Sequence, residues 1–332
     1  MKKQEVIAGV DIGGTNTVLG LIDNENNYLA EKSFETKSEN GIDVYIERLV
    51  NSINEIFEKF SDAHELIGIG LAAPNANFLT GIIENSVNLK WRNVNLVDLI
   101  KKHFNIPIAM INDANAAALG EQICGSAKGM RNFIVLTLGT GLGSGIVVDG
   151  NLIYGENGLA GELGHVIVKS DGRKCNCGKN GCLETYISAN GIRRTVFDLI
   201  SYYNEETELQ NISFNKLTSK YISELALKND VIALKAFEFT GEILGRALSN
   251  VVAYFDPEAI ILVGGLSESG DLLLKPTKFY FEKYLLNIYK GKVQILKSAL
   301  QNGRAAVLGA SSFVTKEINK VRVNYSINSK EN

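Results

Sequence analysis

A pattern of strand, glycine-rich turn and strand occurs twice in this chain, and this repeat restricts the possible folds more than any other feature. In the first copy the turn Asp11-Ile12-Gly13-Gly14-Thr15-Asn16 joins the apolar runs Val6–Val10 and Thr17–Ile22. In the second copy the turn Leu138–Gly145 follows the run that starts at Phe133 and leads into Gly145–Val148. Each copy leads into helices and further buried strands. We therefore predict an α/β protein with two duplicated domains that face one central cleft.

Periodicity and turn residues predict the other main elements. The predicted strands are Tyr28–Ala30, Ile67–Leu71, Pro107–Ile111, Leu152–Tyr154 and Ala259–Val263, and a helix carries apolar residues at helical spacing from Ile42 to Phe60. Asn112 and Asp113 stand at the N-cap position of a helix from Ala114 to Cys124, where short polar side chains accept hydrogen bonds from free N–H groups. Ser267 is predicted to cap a helix after the last strand, and Cys124 is predicted to be a core residue.

Composition and charge exclude several classes of function. The chain has 332 residues, too many for one ordinary domain, and 45% are hydrophobic and 21% charged, as in a globular protein with a sizeable core. Its formal net charge of -3, with scattered Lys and Arg, argues against a nucleic-acid partner. No run approaches the ~20 apolar residues that span a bilayer, and no signal-peptide cleavage pattern follows Met1. We expect a cytoplasmic protein with no membrane partner.

Three glycine sites are candidates for nucleotide binding. Glycine lets backbone N–H groups approach an anion closely, and the hydroxyls of Thr15 and Thr140 can add donors. The strand Ala259–Val263 ends in Gly264-Gly265, where the absence of side chains leaves room for a flat ring or a ribose. Each site alone is also typical of an ordinary tight turn, but three such sites in this order favour a phosphate clamp.

Two other phosphate-binding motifs do not fit the chain. A dinucleotide-binding fold needs a glycine turn that opens a helix, whereas strand-like residues follow both turns here. A P-loop needs GxxxxGK followed by Ser or Thr, and neither Gly178-Lys179-Asn180 nor Gly291-Lys292-Val293 matches.

A cluster of cysteines points to a metal site. Of the four cysteines, Cys175, Cys177 and Cys182 lie within eight residues, and His165 precedes them. Three thiolates and one imidazole complete a tetrahedral zinc site with no open position, so we predict one structural zinc ion per chain. Free thiols in a loop are the alternative, but this spacing in a polar loop with glycines has little packing purpose.

These motifs together resemble the ROK family of sugar kinases and related repressors. The resemblance rests on Asp11-Ile12-Gly13-Gly14-Thr15, Gly139–Gly145, Val263-Gly264-Gly265 and the spacing His-x9-Cys-x-Cys-x4-Cys, and it runs from about Val6 to about Ser312. It implies an α/β fold of two ribonuclease-H-like (actin-like) domains around a central cleft. It further implies an N-terminal domain at residues 1–118, completed by a C-terminal helix at 303–318, and a larger C-terminal domain at 119–302 with the zinc loop 165–184.

The resemblance also implies roles for individual residues. The implied nucleotide contacts are Asp11, Gly13, Gly14, Thr15, Asn16, Gly139, Thr140, Gly141, Gly264 and Gly265, with Asp11 also holding Mg²⁺. The implied sugar contacts are Asn75, Asn112, Asp113, Glu162, His165 and Glu184. Asp113 is the implied catalytic residue, which faces the attacking hydroxyl and accepts its proton late in phosphoryl transfer. His165 would bind zinc through one ring nitrogen and donate to the sugar through the other.

One segment departs from the family's pattern. Ala72–Asn77 stands where many ROK kinases have a glycine-rich loop that contacts the sugar, so Asn77 is a candidate sugar contact beside Asn75. This difference leaves the identity of the sugar open.

We therefore expect ATP-dependent phosphorylation of a hexose, with glucose and its 6-hydroxyl as the leading acceptor and with ATP, Mg²⁺ and structural Zn²⁺ as cofactors. N-acetylmannosamine, N-acetylglucosamine, fructose and mannose are alternative acceptors.

A sugar-responsive ROK regulator without catalysis is the alternative of a different class. Such repressors carry a helix-turn-helix ahead of the first glycine turn, and only ten residues precede Asp11. A catalytically inactive sugar-binding module is disfavoured, because the candidate base, metal ligand and phosphate turns are all present. Relatives are often dimers, so a homodimer is expected.

Overall fold

The computed structural model describes residues 3–86, 89–203, 205–300 and 303–328. The chain divides into two compact units. The first is drawn from Met1–Lys128, Tyr154–Ala160 and Gly303–Asn332, and the second from Gly129–Ile153 and Gly161–Asn302. Among the helices that the structure describes, none combines the length and the apolar character needed to cross a membrane.

The first unit is built on a mixed sheet. Its strands are β1 (Gln4–Ile12), β2 (Asn16–Asp23), β3 (Tyr28–Glu35), β4 (His64–Ala73), β5 (Ala76–Asn77), β6 (Ile82–Ser86), β7 (Trp91–Asn95) and β8 (Ile108–Asn112). Its helices, numbered in chain order, are α1 (Ile42–Glu58), α2 (Leu96–Lys101), α3 (Asp113–Cys124) and α9 (Arg304–Asn328). The main sheet has the order β3-β2-β1-β4-β8, antiparallel from β3 to β1 and parallel from β1 to β8, while β5, β6 and β7 form a small antiparallel sheet.

The second unit repeats the main sheet of the first. Its strands are β9 (Phe133–Leu138), β10 (Leu142–Val148), β11 (Asn151–Leu152), β12 (Ala259–Val263) and β13 (Gln294–Lys297). Its helices are α4 (Glu184–Ile187), α5 (Ala189–Tyr202), α6 (Ser219–Leu227), α7 (Val231–Phe255) and α8 (Asp271–Tyr284). The strand order is β11-β10-β9-β12-β13, again with an antiparallel hairpin on one side of the first strand and parallel strands on the other. The predicted pair of ribonuclease-H-like α/β domains is therefore confirmed.

The centre of the first sheet is covered by helices and carries apolar side chains almost continuously. Val6, Val10 and Ile12 of β1 are fully buried, as expected for a central strand of a sheet that is covered by helices. A Cβ atom at Gly9 or at Gly70 would overlap backbone atoms of α9. These glycines therefore let the backbone of α9 pack directly against β1 and β4.

Most local predictions agree with these elements. The predicted strands coincide with or overlap the observed ones, and the return strand after Asp149-Gly150 is only Asn151–Leu152. Two local predictions are wrong. Ser267 does not cap a helix: it lies in the 3-10 turn Ser267–Ser269 and donates its hydroxyl to Gly264 O at 2.6 Å, and α8 begins after Gly270. Cys124 is exposed rather than buried, because it is the last residue of α3 and the buried face of that helix ends at Glu121.

Candidate active site

The first glycine turn connects β1 to β2 and is partly closed on itself. Gly13 N donates to Asn16 O at 3.0 Å, so this N–H group already has a partner within the turn. Gly14, Thr15 and Asn16 are exposed. The turn therefore presents its outer residues, rather than the Gly13 N–H, to an approaching anion.

A buried set of hydroxyl groups supports this turn from behind. Thr36 Oγ1 donates to Gly13 O at 2.6 Å and lies 3.1 Å from Thr17 Oγ1, which in turn lies 3.1 Å from the Tyr45 hydroxyl. All three side chains are buried. Their role was not predicted from the sequence, because nothing local links Thr36 or Tyr45 to the glycine turn. Their hydroxyls fix the carbonyl of Gly13 and so the shape of the turn.

Two carboxylates lie at the same edge of the first sheet. Asp11 near the end of β1 pairs with Ala72 of β4, and Asn112, next to Asp113, pairs with Ala73 of the same strand. Burial, and after it the negative charge of Asp113, raises the pKa of the Asp11 carboxyl from 3.8 to about 8. A cation at this position would remove the cost of ionising both groups. The donor set thus fits a hard divalent cation such as Mg²⁺, which prefers carboxylate oxygens and water.

The start of α3 confirms the predicted helix cap. Asn112 Oδ1 accepts from Ala114 N at 3.0 Å and from Asn115 N at 3.2 Å, and Asp113 Oδ1 accepts from Ala114 N at 2.8 Å. The cap holds the Asp113 side chain at the helix N-terminus, where the macrodipole favours the carboxylate. The cap at Asn112, the last residue of β8, therefore helps to orient the candidate base Asp113.

The segment that departs from the family's pattern has two different asparagines. Asn75 is exposed and has a left-handed backbone with φ of 56°. Asn77 is buried, and its Nδ2 donates to Glu84 Oε1 and to Asn157 O, each at 3.1 Å, while its Oδ1 accepts from Leu79 N at 3.0 Å. Asn77 therefore holds the segment together, and its amide is already engaged within the first unit. Asn75 stays a predicted sugar contact.

The second glycine turn lies between β9 and β10 and is tied to the beginning of α5. Gly139 N donates to Gly141 O at 3.0 Å, and Ala189 N donates to Gly139 O at 2.9 Å. Asn190 Nδ2 donates to Thr140 O at 3.1 Å. The carbonyl groups of the turn are thus held by α5, and the Thr140 side chain is exposed.

The third glycine site lies beside the second. Gly264 follows β12, which runs parallel to β9, so both glycine sites end up at one edge of the second sheet. Gly264 has φ of 98°, and a Cβ there would lie 2.8 Å from Leu138 O, so only glycine fits without strain. Apart from its two chain neighbours, no heavy atom of the described residues lies within 4 Å of a Cβ built on Gly265. This open backbone is the space predicted for a ring or a ribose.

The cysteine and histidine residues form a compact cluster. One ligand atom from each of His165, Cys175, Cys177 and Cys182 lies within 4.8 Å of the others. Cys175 Sγ is 3.7 Å from His165 Nδ1, and Cys177 Sγ is 3.6 Å from Cys182 Sγ. Ligands at about 2.3 Å from a tetrahedral zinc ion would be about 3.8 Å apart, so the spacing and the donor set fit zinc. Nδ1 is the ring nitrogen of His165 that faces the Cys175 thiol.

The predicted sugar residues flank this cluster. Glu162 is exposed and precedes the 3-10 turn Leu163–His165. Glu184 starts α4, its Oε2 accepts from Leu142 N at 3.0 Å, and its Oε1 lies 3.8 Å from Cys175 Sγ. Within the second unit, the structure therefore brings Glu184 and His165 to the same cluster, and Glu162 is three residues from His165. The contact between Glu184 and the second glycine turn was not predicted.

The role of Arg173 was likewise not predicted from the sequence. Its guanidinium donates to Thr185 O at 2.9 Å and Gly191 O at 3.0 Å, and it stacks on the Tyr186 ring at 4.7 Å. It also donates to Asp198 Oδ2 at 2.6 Å, although its own side chain is only 14% exposed. Arg173 thus fastens the zinc loop to α4 and α5.

Comparisons with known proteins agree with this arrangement. The model of the ROK family matches residues 7–317. A glucokinase of Halalkalibacterium halodurans is 35% identical over 320 residues, which cover 94% of this chain and 96% of that protein. The crystal structure of a ROK family glucokinase from Streptomyces griseus in complex with glucose and AMPPNP has a TM-score of 0.81 at 30% identity, covering 94% of this chain and 99% of that one. A xylose repressor of Bacillus spizizenii is 29% identical, and the match covers 94% of this chain and 78% of the repressor.

The family match includes the three glycine sites, the paired aspartates and the cysteine and histidine cluster. It also extends over the two repeated sheets that carry them. This chain belongs to the ROK family.

Proposed function

We propose that this chain is a sugar kinase that transfers the γ-phosphoryl group of ATP to a hexose, with glucose as the preferred acceptor and its 6-hydroxyl as the attacking group. The observation that carries the proposal is the placement of Asp11 and Asp113 at one sheet edge beside an exposed glycine turn. Glucokinases at 32–35% identity over more than nine-tenths of the chain support the same activity.

The nucleotide is held by backbone and small side chains in this proposal. The first turn contributes Asp11, Gly13, Gly14, Thr15 and Asn16. The second unit contributes Gly139, Thr140, Gly141, Gly264 and Gly265. Mg²⁺ held at Asp11 would supply positive charge to the phosphates of ATP. The open backbone at Gly265 suits the flat adenine ring or the ribose of ATP.

The transfer step is assigned to Asp113. The sugar hydroxyl oxygen bonds to the γ-phosphorus while the bond from that phosphorus to the β–γ bridging oxygen breaks. The hydroxyl proton passes to the Asp113 carboxylate, and ADP leaves. Because the transition state is loose, the carboxylate orients the hydroxyl first and accepts the proton late. The hydrogen bond from Ala114 N to Asp113 Oδ1 at 2.8 Å helps to orient the carboxylate for this role.

The sugar is recognised by hydrogen-bonding side chains. The first unit contributes Asn75, Asn112 and Asp113, and the second contributes Glu162, His165 and Glu184. Carboxylates that accept from sugar hydroxyls discriminate strongly against analogues that lack the hydroxyl. His165 donates through Nε2, since its Nδ1 faces the thiols of the cluster. A zinc ion at the cluster would have a structural role and would keep the imidazole in one tautomer.

A coupled ADP-release assay tests the activity and its substrate together. Zinc-loaded protein with Mg²⁺ and ATP is supplied with glucose, mannose, fructose, N-acetylmannosamine or N-acetylglucosamine. We expect ADP release above the sugar-free rate, with the highest kcat/KM for glucose. A higher kcat/KM for an N-acetylhexosamine would change the acceptor and keep the reaction. No sugar-dependent release with any of the five would contradict the proposal.

A sugar-responsive regulator is the second candidate, because xylose repressors match over 94% of the chain. The same assay, combined with thermal unfolding in the presence of each sugar, separates the two functions. A regulator would show sugar binding, for example as a rise in the unfolding temperature, without turnover of ATP.

A further inference from the structure

The second glycine turn contacts both segments that carry the metal ligands. Leu142, the first residue of β10, donates its N–H to Glu184 Oε2 at 3.0 Å. A Cβ on Gly164, the residue before His165, would overlap the carbonyl group of Leu142. Leu142 therefore contacts the segment before the cysteines through its carbonyl group and the segment after them through its N–H group.

Further contacts bind the same region to the cluster. A Cβ on Gly141 would overlap Glu184 Oε2, so the turn is shaped around this carboxylate. Leu163 N donates to Ser144 Oγ at 3.2 Å, and Ser144 Oγ donates to Gly161 O. The other carboxylate oxygen of Glu184 lies 3.8 Å from Cys175 Sγ. Glu184 thus touches a metal ligand with one oxygen and the glycine turn with the other.

This geometry makes the position of the turn depend on the cluster. A bound metal holds His165 and Cys182 at a fixed separation, and with them the segments that contact Leu142. Without the metal, the two segments keep backbone hydrogen bonds, such as Leu183 N to Val166 O at 2.9 Å, but lose the link through the ligands. The Leu142 N–H and the Glu184 carboxylate are then held less firmly together. Ordering them again would cost conformational entropy at the moment a ligand binds.

We infer that Glu184 is a positioning residue for the nucleotide, and that metal binding at the cluster and nucleotide binding at the second glycine turn strengthen each other. The inference rests on the proposed nucleotide site at Gly139–Gly141, and it extends the role of the cluster from the sugar residues to the phosphate turn. Because such coupling is reciprocal, the nucleotide also raises the affinity for the metal. We expect this gain to appear mainly as slower loss of the metal.

The test measures nucleotide affinity without any sugar. Fluorescent mant-ADP is titrated into zinc-loaded protein and into protein stripped by a chelator, with the metal content of each sample measured. We expect metal removal to weaken nucleotide affinity about 10-fold, within the usual range of coupling between two sites. In Glu184→Ala the affinity of the loaded protein falls, and metal removal then changes it by less than about 3-fold, because the link is gone.

Glu162→Ala is the matched control. It removes another carboxylate assigned to the sugar, but Glu162 is exposed and has no contact with the turn among the described hydrogen bonds. We expect Glu162→Ala to bind mant-ADP like the parent and to keep the full effect of metal removal. Equal nucleotide affinity in Glu184→Ala and Glu162→Ala would overturn the inference.

A kinetic measurement covers the case in which the stripped protein does not stay folded. Zinc transfer from the folded, loaded protein to a coloured chelator is followed with and without ADP. We expect ADP to slow the transfer at least about 3-fold. An unchanged rate, with mant-ADP binding intact, overturns the coupling and leaves the proposed function standing. Absence of mant-ADP binding by the loaded protein overturns both.

Discussion

Replacing Arg173 by alanine should destabilise the second unit more than its position in a loop suggests. The guanidinium is 14% exposed and donates to the backbone carbonyls of Thr185 and Gly191 at 2.9 and 3.0 Å. Thr185 lies in α4, which begins at Glu184, and Gly191 lies in the first turn of α5. Alanine would leave these acceptors without their charged donor.

The magnitude follows from the contacts that are lost. A hydrogen bond from a charged donor contributes about 1.5–3 kcal/mol, so the two bonds to buried carbonyls give about 3 kcal/mol at the low end. The ion pair with Asp198 adds little, because that carboxylate is 67% exposed. A loss of about 3 kcal/mol lowers the unfolding midpoint of a unit of this size by about 6–12 °C.

Thermal unfolding followed by far-ultraviolet circular dichroism measures this effect. Arg194→Ala is the matched control. Among the described hydrogen bonds, Arg194 makes one, to Lys174 O at 3.0 Å, and because this bond is exposed to solvent its loss should cost less than about 1 kcal/mol. Asp198→Ala should likewise stay within about 1 kcal/mol of the parent. If Arg173→Ala unfolds within about 2 °C of Arg194→Ala, the guanidinium does not hold the loop and the reasoning fails.

Further predictions concern the glycine sites and the buried acid. Thr36→Val should lower stability by about 1–3 kcal/mol and raise the KM for ATP, because Gly13 O loses its donor; unchanged values of both would contradict this. Gly264→Ala forces φ of 98° on a residue with a Cβ 2.8 Å from Leu138 O, so we expect a loss of at least about 1 kcal/mol and weaker mant-ADP binding. Asp11 has a folded-state pKa of about 8, above the ordinary 3.8, so the stability it contributes is complete at low pH and is lost as the pH rises towards 8. Without Mg²⁺ or nucleotide, Asp11→Asn should therefore be more stable than the parent at pH 8 by about 1 kcal/mol or more, with the gain vanishing near pH 4; a gain independent of pH would refute the assignment.

Sequence reasoning succeeded where the chemistry is local. The glycine turns, the cap at Asn112 and the cysteine spacing are each specified by neighbouring residues, and the structure has a turn, a cap and a cluster at those positions. The strand pattern was also sufficient to predict two copies of one sheet, because a buried strand followed by a glycine turn and a second strand can form a hairpin in both places.

What escaped prediction depends on contacts between distant parts of the chain. Thr36 supports Gly13, and Arg173 reaches Gly191, only after the strands and helices between them have packed. The contact of Asp11 with the charge of Asp113 likewise needs β4 to lie between β1 and β8. No short pattern of residue types encodes such pairs. The local rules also failed at Ser267, where the chain makes another turn before α8 begins.

The turnover of Asp113→Asn tests the central claim most directly. Asparagine keeps the shape of the side chain and can still accept the hydrogen bond from Ala114 N, but it cannot accept the proton of the sugar hydroxyl. With zinc, Mg²⁺, ATP and glucose, we predict that this variant folds and binds glucose like the parent while kcat falls at least ~10²-fold. A kcat close to that of the parent, with equal amounts of ADP and hexose phosphate formed, would contradict the account.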